Sequence, residues 1–170
     1  MIIYTDASYS KNKNMSGLGI VFVQEDNGKS RISHFGTYSR VCRDNNTAEI
    51  AAIALVFDYL KERKCPIKLK QGEEITIVSD SQVALNKIHK MVFGSNDFER
   101  HCLRCIYDYC TYSGVKVVFR LCKGHCKDDS RDSYYNNMVD KLSNDYRKLG
   151  YSLYYSNRPI QNKNNQHIKE

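Results

Sequence analysis

No stretch of this 170-residue chain is apolar for long, although 41% of its residues are hydrophobic and proline occurs only twice. A membrane-spanning helix needs about 20 consecutive apolar residues, so none can be drawn and no membrane partner is expected. The N-terminus lacks a basic stretch followed by an apolar one and a small-residue cleavage site, so no secretory leader is expected. Acidic residues are the minority charge: 19 Asp and Glu face 26 Lys and Arg, leaving a net charge of +7. Such a surplus suits a polyanionic partner such as nucleic acid. The 7 cysteines are odd in number; a zinc site presents two well-spaced ligand pairs, for which Cys102 and Cys105 with Cys122, His125 and Cys126 further on are the candidates. Cys102 and Cys105, beside His101, fall three apart in a helical stretch and read as buried thiols rather than ligands. The expected compartment is reducing and cytoplasmic.

One domain with a proper core fits this length. The opening residues, Met1-Ile2-Ile3-Tyr4-Thr5-Asp6-Ala7-Ser8, form a short apolar strand with a carboxylate inside it. Residues 16–24 and 30–39 read as two more strands, joined by a turn at 25–28 with the favoured Asn27-Gly28 pair. From Thr47 the period becomes helical, with Ala48, Ile50, Ala51, Ile53, Leu55, Val56 and Tyr59 on a wide apolar face. The basic run ending at Lys64, followed by Pro66, closes that helix. A buried strand at 75–78 stops at Ser79-Asp80-Ser81, and helices follow at 82–90 and 97–112. Val115–Cys122 is a fifth strand, residues 123–133 a polar loop, and Tyr134–Leu149 the last helix. Residues 1–150 are expected to be the folded domain and 151–170 a polar, mobile C-terminal tail. The order predicts a single α/β domain: a five-stranded mixed sheet, three antiparallel strands then two parallel, flanked by helices.

Four acids stand out in this scheme. Asp6 lies in strand one, Glu49 early in the long helix, Asp80 at the end of strand four and Asp140 in the last helix. An unpaired carboxylate in a core strand is costly unless something neutralises it. Four converging carboxylates repel unless cations share the site. Mg²⁺ takes oxygen ligands, and two such ions about 3.5–4 Å apart can stabilise both the attacking and the leaving oxygens of a phosphoryl displacement. Taken singly, Glu49 could complete a capping arrangement with Asn46, Asp80 could cap a helix, and Asp140 could be a solvated charge.

Five short stretches occur in a familiar order: Tyr4-Thr5-Asp6-Ala7-Ser8, Asn45-Asn46-Thr47-Ala48-Glu49, Ser79-Asp80-Ser81-Gln82, Lys123-Gly124-His125, and Asn136 with Asp140. Over residues 1 to 149 the chain resembles the ribonuclease H family, type I. That resemblance implies a metal-dependent endoribonuclease that cleaves the RNA strand of an RNA–DNA hybrid by a two-metal-ion mechanism. Asp6, Glu49, Asp80 and Asp140 would hold two Mg²⁺ or Mn²⁺ ions, with His125 assisting proton transfer or product departure. Asn45, Asn46, Gln82, Ser8, Arg43 and Lys123 would contact the substrate. Amide side chains both donate and accept, which suits them to the RNA 2′-hydroxyl. The chain is expected to act as a monomer. The alternative is a non-catalytic nucleic-acid-binding module of a larger replication or reverse-transcription assembly.

There are departures from the family. Asp44 stands where a phosphate-binding Thr is common, and Arg43 beside it could compensate. The basic, Trp-containing protrusion of many bacterial relatives is missing, which shifts the expected hybrid affinity to Lys87, Lys90, Lys123, Lys127 and the basic tail.

Overall fold

The computed structural model describes residues 1–62, 69, 72–94, 96–124 and 129–156. In chain order the elements are β1 (Ile2–Ser10), β2 (Met15–Asp26), β3 (Lys29–Ser39), α1 (Asn45–Lys61), β4 (Ile75–Ser79), α2 (Gln82–Lys90), α3 (Asp97–Tyr112), β5 (Val117–Leu121) and α4 (Arg131–Ser156). The sheet has the order β3-β2-β1-β4-β5. β1 pairs antiparallel with β2 and β2 with β3, whereas β4 runs parallel to β1 and β5 parallel to β4. This is the mixed α/β sheet the sequence predicts. Asn27 and Gly28, both at positive φ, make the β2–β3 turn, as a tight hairpin requires.

Side chains alternate across a strand. From β1 and β2, Ile3, Ala7, Leu18, Ile20 and Phe22 join a cluster with Ile50, Ile53 and Phe57 of α1 and Leu103 and Ile106 of α3. The opposite face presents Tyr4, Val21 and Val23 to Tyr135 and Val139 of α4. Asp6 and Ser8 share this second face, opposite Gly19 and Gly17 in the register. α4 lies on those glycines with no room for a side chain: a Cβ on Gly17 would collide with the Ser143 carbonyl. One on Gly19 would lie 2.8 Å from the carbonyl oxygen of Val139. β3 is an outer strand, mostly exposed, with Lys29 and Arg31 along its first half.

Three helix boundaries depart from the sequence reading, one of them the start of α4 at Arg131 rather than Tyr134. α1 starts at Asn45, two residues before Thr47, because Asp44 is its N-cap and accepts from the Thr47 N–H at 2.7 Å. α4 runs through Ser156 rather than stopping at Leu149. Gly150 reads as a stop signal, yet it is buried inside the helix, where the Tyr38 ring occupies the space of a side chain. Residues 151–156 of the expected tail are therefore helical, and 157–170 lie outside the described residues.

Candidate active site

Three acids meet at the carboxyl end of the parallel strands. Asp6 sits near the middle of β1, Asp80 follows the last residue of β4, and Glu49 is the fifth residue of α1. One carboxylate oxygen from each of these three acids lies within 4.8 Å of the others. Among the described residues this is the one grouping with metal-ligand spacing. Asp140 of α4, half-buried, adds its charge to the field at Asp6. The four acids predicted from sequence are thus brought to one end of the sheet.

Their environment is hostile to negative charge. Asp6 is 6% exposed and Glu49 3%. Burial pushes the Asp6 carboxyl up to about 7, helped by the charges of Asp80 and Asp140 and opposed by a hydrogen bond from Ser143. The Glu49 carboxyl is also pushed well up, chiefly by burial and then by Asp6 and Asp80. The Ala7 backbone N–H and the Asn45 side chain pull it back only in part. Glu49 Oε2 is buried with no hydrogen-bond partner. A buried acceptor left unsatisfied is costly, and hard oxygen donors at this spacing are what a divalent ion such as Mg²⁺ requires. The residues present therefore fit a divalent cation.

None of the acids is used as a plain cap. Ser81, not Asp80, caps α2 by accepting from the Ala84 N–H at 3.3 Å. Asp44 caps α1, so Glu49 does not close a capping box with Asn46. The Asp44 carboxylate thus serves the helix N-terminus, where negative charge is favoured.

A ring of hydrogen bonds that the sequence reading missed surrounds the acids. Ser143 Oγ donates to Asp6 Oδ2 at 2.6 Å. Asn144 Nδ2 donates to Asp140 Oδ1 at 3.0 Å, and Asn144 Oδ1 accepts from Ser8 Oγ at 2.8 Å. Arg147 Nε donates to Ser8 Oγ at 2.7 Å. The available signal was the helical spacing: Ser143, Asn144 and Arg147 stand three, four and seven residues after Asp140, on one face of a helix. Further along, Tyr4 donates to Asp132 Oδ1 at 2.6 Å, and Arg120 Nη2 donates to the same oxygen at 2.9 Å, fixing the first turn of α4 to β1 and β5.

The predicted substrate contacts fall out as follows. Asn45, Asn46 and Arg43 are exposed at the start of α1. Gln82 is exposed on the first turn of α2, where its Nε2 donates to Asn86 Oδ1 at 2.9 Å. Lys123 is exposed, and Ser8 is half-buried in the Asn144–Arg147 network. Gly124 lies against the site: a Cβ there would be 2.5 Å from Asp80 Oδ2. His125 and Lys127 lie outside the described residues. Lys87 is not available for phosphate as expected. It pairs at 2.7 Å with Glu99, which is 4% exposed and demands a counter-charge. Cys102 is buried and Cys105 half-buried on α3, both as free thiols.

The RNase H family profile matches residues 1–148. No curated protein matches the chain. Among solved structures, the native protease–reverse transcriptase of prototype foamy virus aligns at a TM-score of 0.66 and 18% identity. The alignment covers 86% of this chain but only 20% of that one, so the chain spans a fifth of the viral protein. LC11-RNase H1, isolated from compost by a metagenomic approach and solved in complex with an RNA/DNA hybrid, aligns at 0.63 and 18% identity, covering 88% of this chain and 97% of its own. RNase H1 of the halophilic archaeon Halobacterium salinarum NRC-1 aligns at 0.58 and 17% identity, with 87% and 97% covered. At these identities the structural likeness establishes the fold.

Proposed function

We propose, from the fact that this chain belongs to the ribonuclease H family, that its acidic site hydrolyses the RNA strand of RNA–DNA hybrids. The observation that carries the reading is the trio Asp6, Glu49 and Asp80, the first two buried and the third half-buried, with Glu49 Oε2 lacking any partner. Asp6, Glu49, Asp80 and Asp140 would together hold two Mg²⁺ ions, or Mn²⁺ in their place. When bound, such ions supply Lewis acidity to both ends of an in-line displacement at phosphorus.

The chain's own residues have separable tasks. Ser143 and Asn144 fix the rotamers of Asp6 and Asp140 through their hydrogen bonds. Asn45, Asn46 and Gln82 offer amides at the rim, able to donate to and accept from a 2′-hydroxyl that DNA lacks. Arg43 and Lys123 offer positive charge to the phosphates on either side. His125, next in sequence to the glycine that lies against Asp80, would carry a proton to the leaving oxygen or speed product departure. All four candidate ligands come from one chain, which supports a monomer as the working unit. The free thiols support a reducing, cytoplasmic setting.

A purely binding module needs none of the four carboxylates and gains only repulsion toward nucleic acid from them, which disfavours the non-catalytic alternative. The test is cleavage of an end-labelled RNA–DNA hybrid with Mg²⁺ or Mn²⁺ by the native chain and by Asp80→Asn. RNA-strand cutting that requires the metal and disappears in the variant is expected. Hybrid binding without cutting under either metal would overturn the enzymatic reading.

A further inference from the structure

The family match stops at residue 148, but α4 continues for two more turns to Ser156. Two cations fold back onto that extension from the end of the sheet. Lys13, in the turn between β1 and β2, places Nζ 4.0 Å above the Tyr151 ring centroid. Arg40, just past β3, lies with Cζ 3.7 Å above the Tyr154 ring. Both cations are exposed, and neither makes an ion pair among the described residues. The extension is also continuous with the acidic site. Arg147, one turn before Tyr151, is tied to Ser8 and Asn144, and Asn144 is tied to Asp140.

The shoulder of α2 and α3 differs. There Lys87 is consumed by Glu99 and Arg100 pairs with Asp97, while Val92 and Phe93 are exposed. Lys90 and Arg104 are exposed there as well, but among the described residues neither lies over an aromatic ring.

A guanidinium laid flat on an aromatic ring is held by cation–π attraction, and its N–H edge points outward in a fixed plane. Less rotamer entropy is then lost when an anion arrives. A ring face already covered by a cation is not a stacking platform for a base. The arrangement addresses phosphates, which position a nucleic acid without reading its sequence. At 1.5 Å per helical residue, Tyr151 and Tyr154 lie roughly 16 and 21 Å along α4 from Asp140. A strand advancing about 3.4 Å per nucleotide covers that distance in about five to six nucleotides.

We propose that Lys13 on Tyr151 and Arg40 on Tyr154 form a phosphate clamp that grips the RNA–DNA hybrid about five to six nucleotides from the cleaved bond. The proposal rests on reading the acidic site as the hybrid's cleavage site.

The experiment is equilibrium binding of fluorescein-labelled hybrids of about 20 and about 8 base pairs, over a range of salt and without divalent ions, so that binding is read without cleavage. The proteins are the parent chain, the double variant Lys13→Ala/Arg40→Ala, and Tyr154→Leu, which keeps every charge. Each contributes a thermal melt to show that it is folded. On the long hybrid the double variant is expected to flatten the dependence of log affinity on log salt by about two units, near 0.9 per lost phosphate contact. On the short hybrid it should match the parent. Tyr154→Leu should weaken long-hybrid binding several-fold with the charge count unchanged. A double variant with the parent's slope and affinity on the long hybrid overturns the clamp. So does an equal loss on both lengths, which marks a diffuse field rather than a placed contact. If the slope change appears but the parent cuts no hybrid in Mg²⁺ or Mn²⁺, the clamp stands and the enzymatic reading falls.

Discussion

On the α1 side of the sheet, β1 and β2 present Ile3, Leu18, Ile20 and Phe22 to a helix that answers with Ile50, Ile53 and Phe57. On the α4 side the same two strands present Tyr4, Asp6, Ser8, Gly17 and Gly19. Bulk fills the first interface. In the second, bulk is removed at Gly17 and Gly19 so that a helix backbone can approach closely enough for Ser143 to reach Asp6. Hydrophobic burial is non-directional and tolerates exchange of similar volumes. Hydrogen-bonded carboxylates are directional and tolerate little displacement. The difference teaches that one face holds the sheet together while the other sets the chemistry.

Substitutions can break that division. The largest expected effect is Asp140→Asn, which should lower cleavage by at least about a hundredfold, since several kcal/mol of charge stabilisation at the phosphorus are at stake. Its thermal melt without metal should not fall, because a repelling charge has been removed; a large drop in melting temperature would show that Asp140 holds the fold rather than the site. Next comes Phe57→Ala on the opposite face, expected to lose about 3–5 kcal/mol in denaturant unfolding. Its folded fraction should cut at the parent's rate, and a slowed rate would blur the two faces.

The pH dependence of stability is the third test. The Asp6 carboxyl is pushed up to about 7 from an ordinary value of 3.8. A raised acid contributes stability that is fully present below about pH 4 and is lost as pH rises through about 7. Those three or so units correspond to about 4 kcal/mol at most, and Glu49 acts in the same direction. Metal-free protein should therefore melt lower at pH 8 than at pH 5, and Mg²⁺ should restore the melt at pH 8 far more than at pH 5. An equal Mg²⁺ effect at both values would remove the acids from the account.

Gly17→Ala should cost about 1–3 kcal/mol by overpacking. Unlike Phe57→Ala, it should also blunt the Mg²⁺-induced rise in melting temperature, because α4 carries Asp140. The smallest effect is Ser143→Ala, expected to weaken Mg²⁺ binding in calorimetry by about 10–100-fold with little change in stability. Unaltered affinity there would show that the hydrogen bond to Asp6 does not orient it.

Much of this was legible in the residues. Asp6 stood out as a carboxylate inside an otherwise apolar strand, and Glu49, Asp80 and Asp140 as acids of later elements that the strand order could bring to it. The strand order followed from short turns early in the chain and helical crossovers later. What could not be read were properties of the third dimension. Gly17, Gly19 and Gly150 look in sequence like weak or terminating positions, and only the packing of α4 shows that they are points of contact. Lys87 looks like free charge until Glu99 is found buried beside it. Asp44 looked like a defect in a phosphate pocket because its side chain can also cap a helix, and spacing alone does not choose between the two.

The outer strand carries one more consequence. Among the described residues β3 has no strand neighbour on one side of its backbone, and such an edge invites a second copy to add on and start a polymer. Lys29 and Arg31 stand along the first half of β3. Two copies meeting edge to edge there in antiparallel fashion would bring like charges together and strip their water. The strand's charge is thus a guard against self-association, and neutralising both residues should raise the aggregation rate of the folded protein without touching its catalysis.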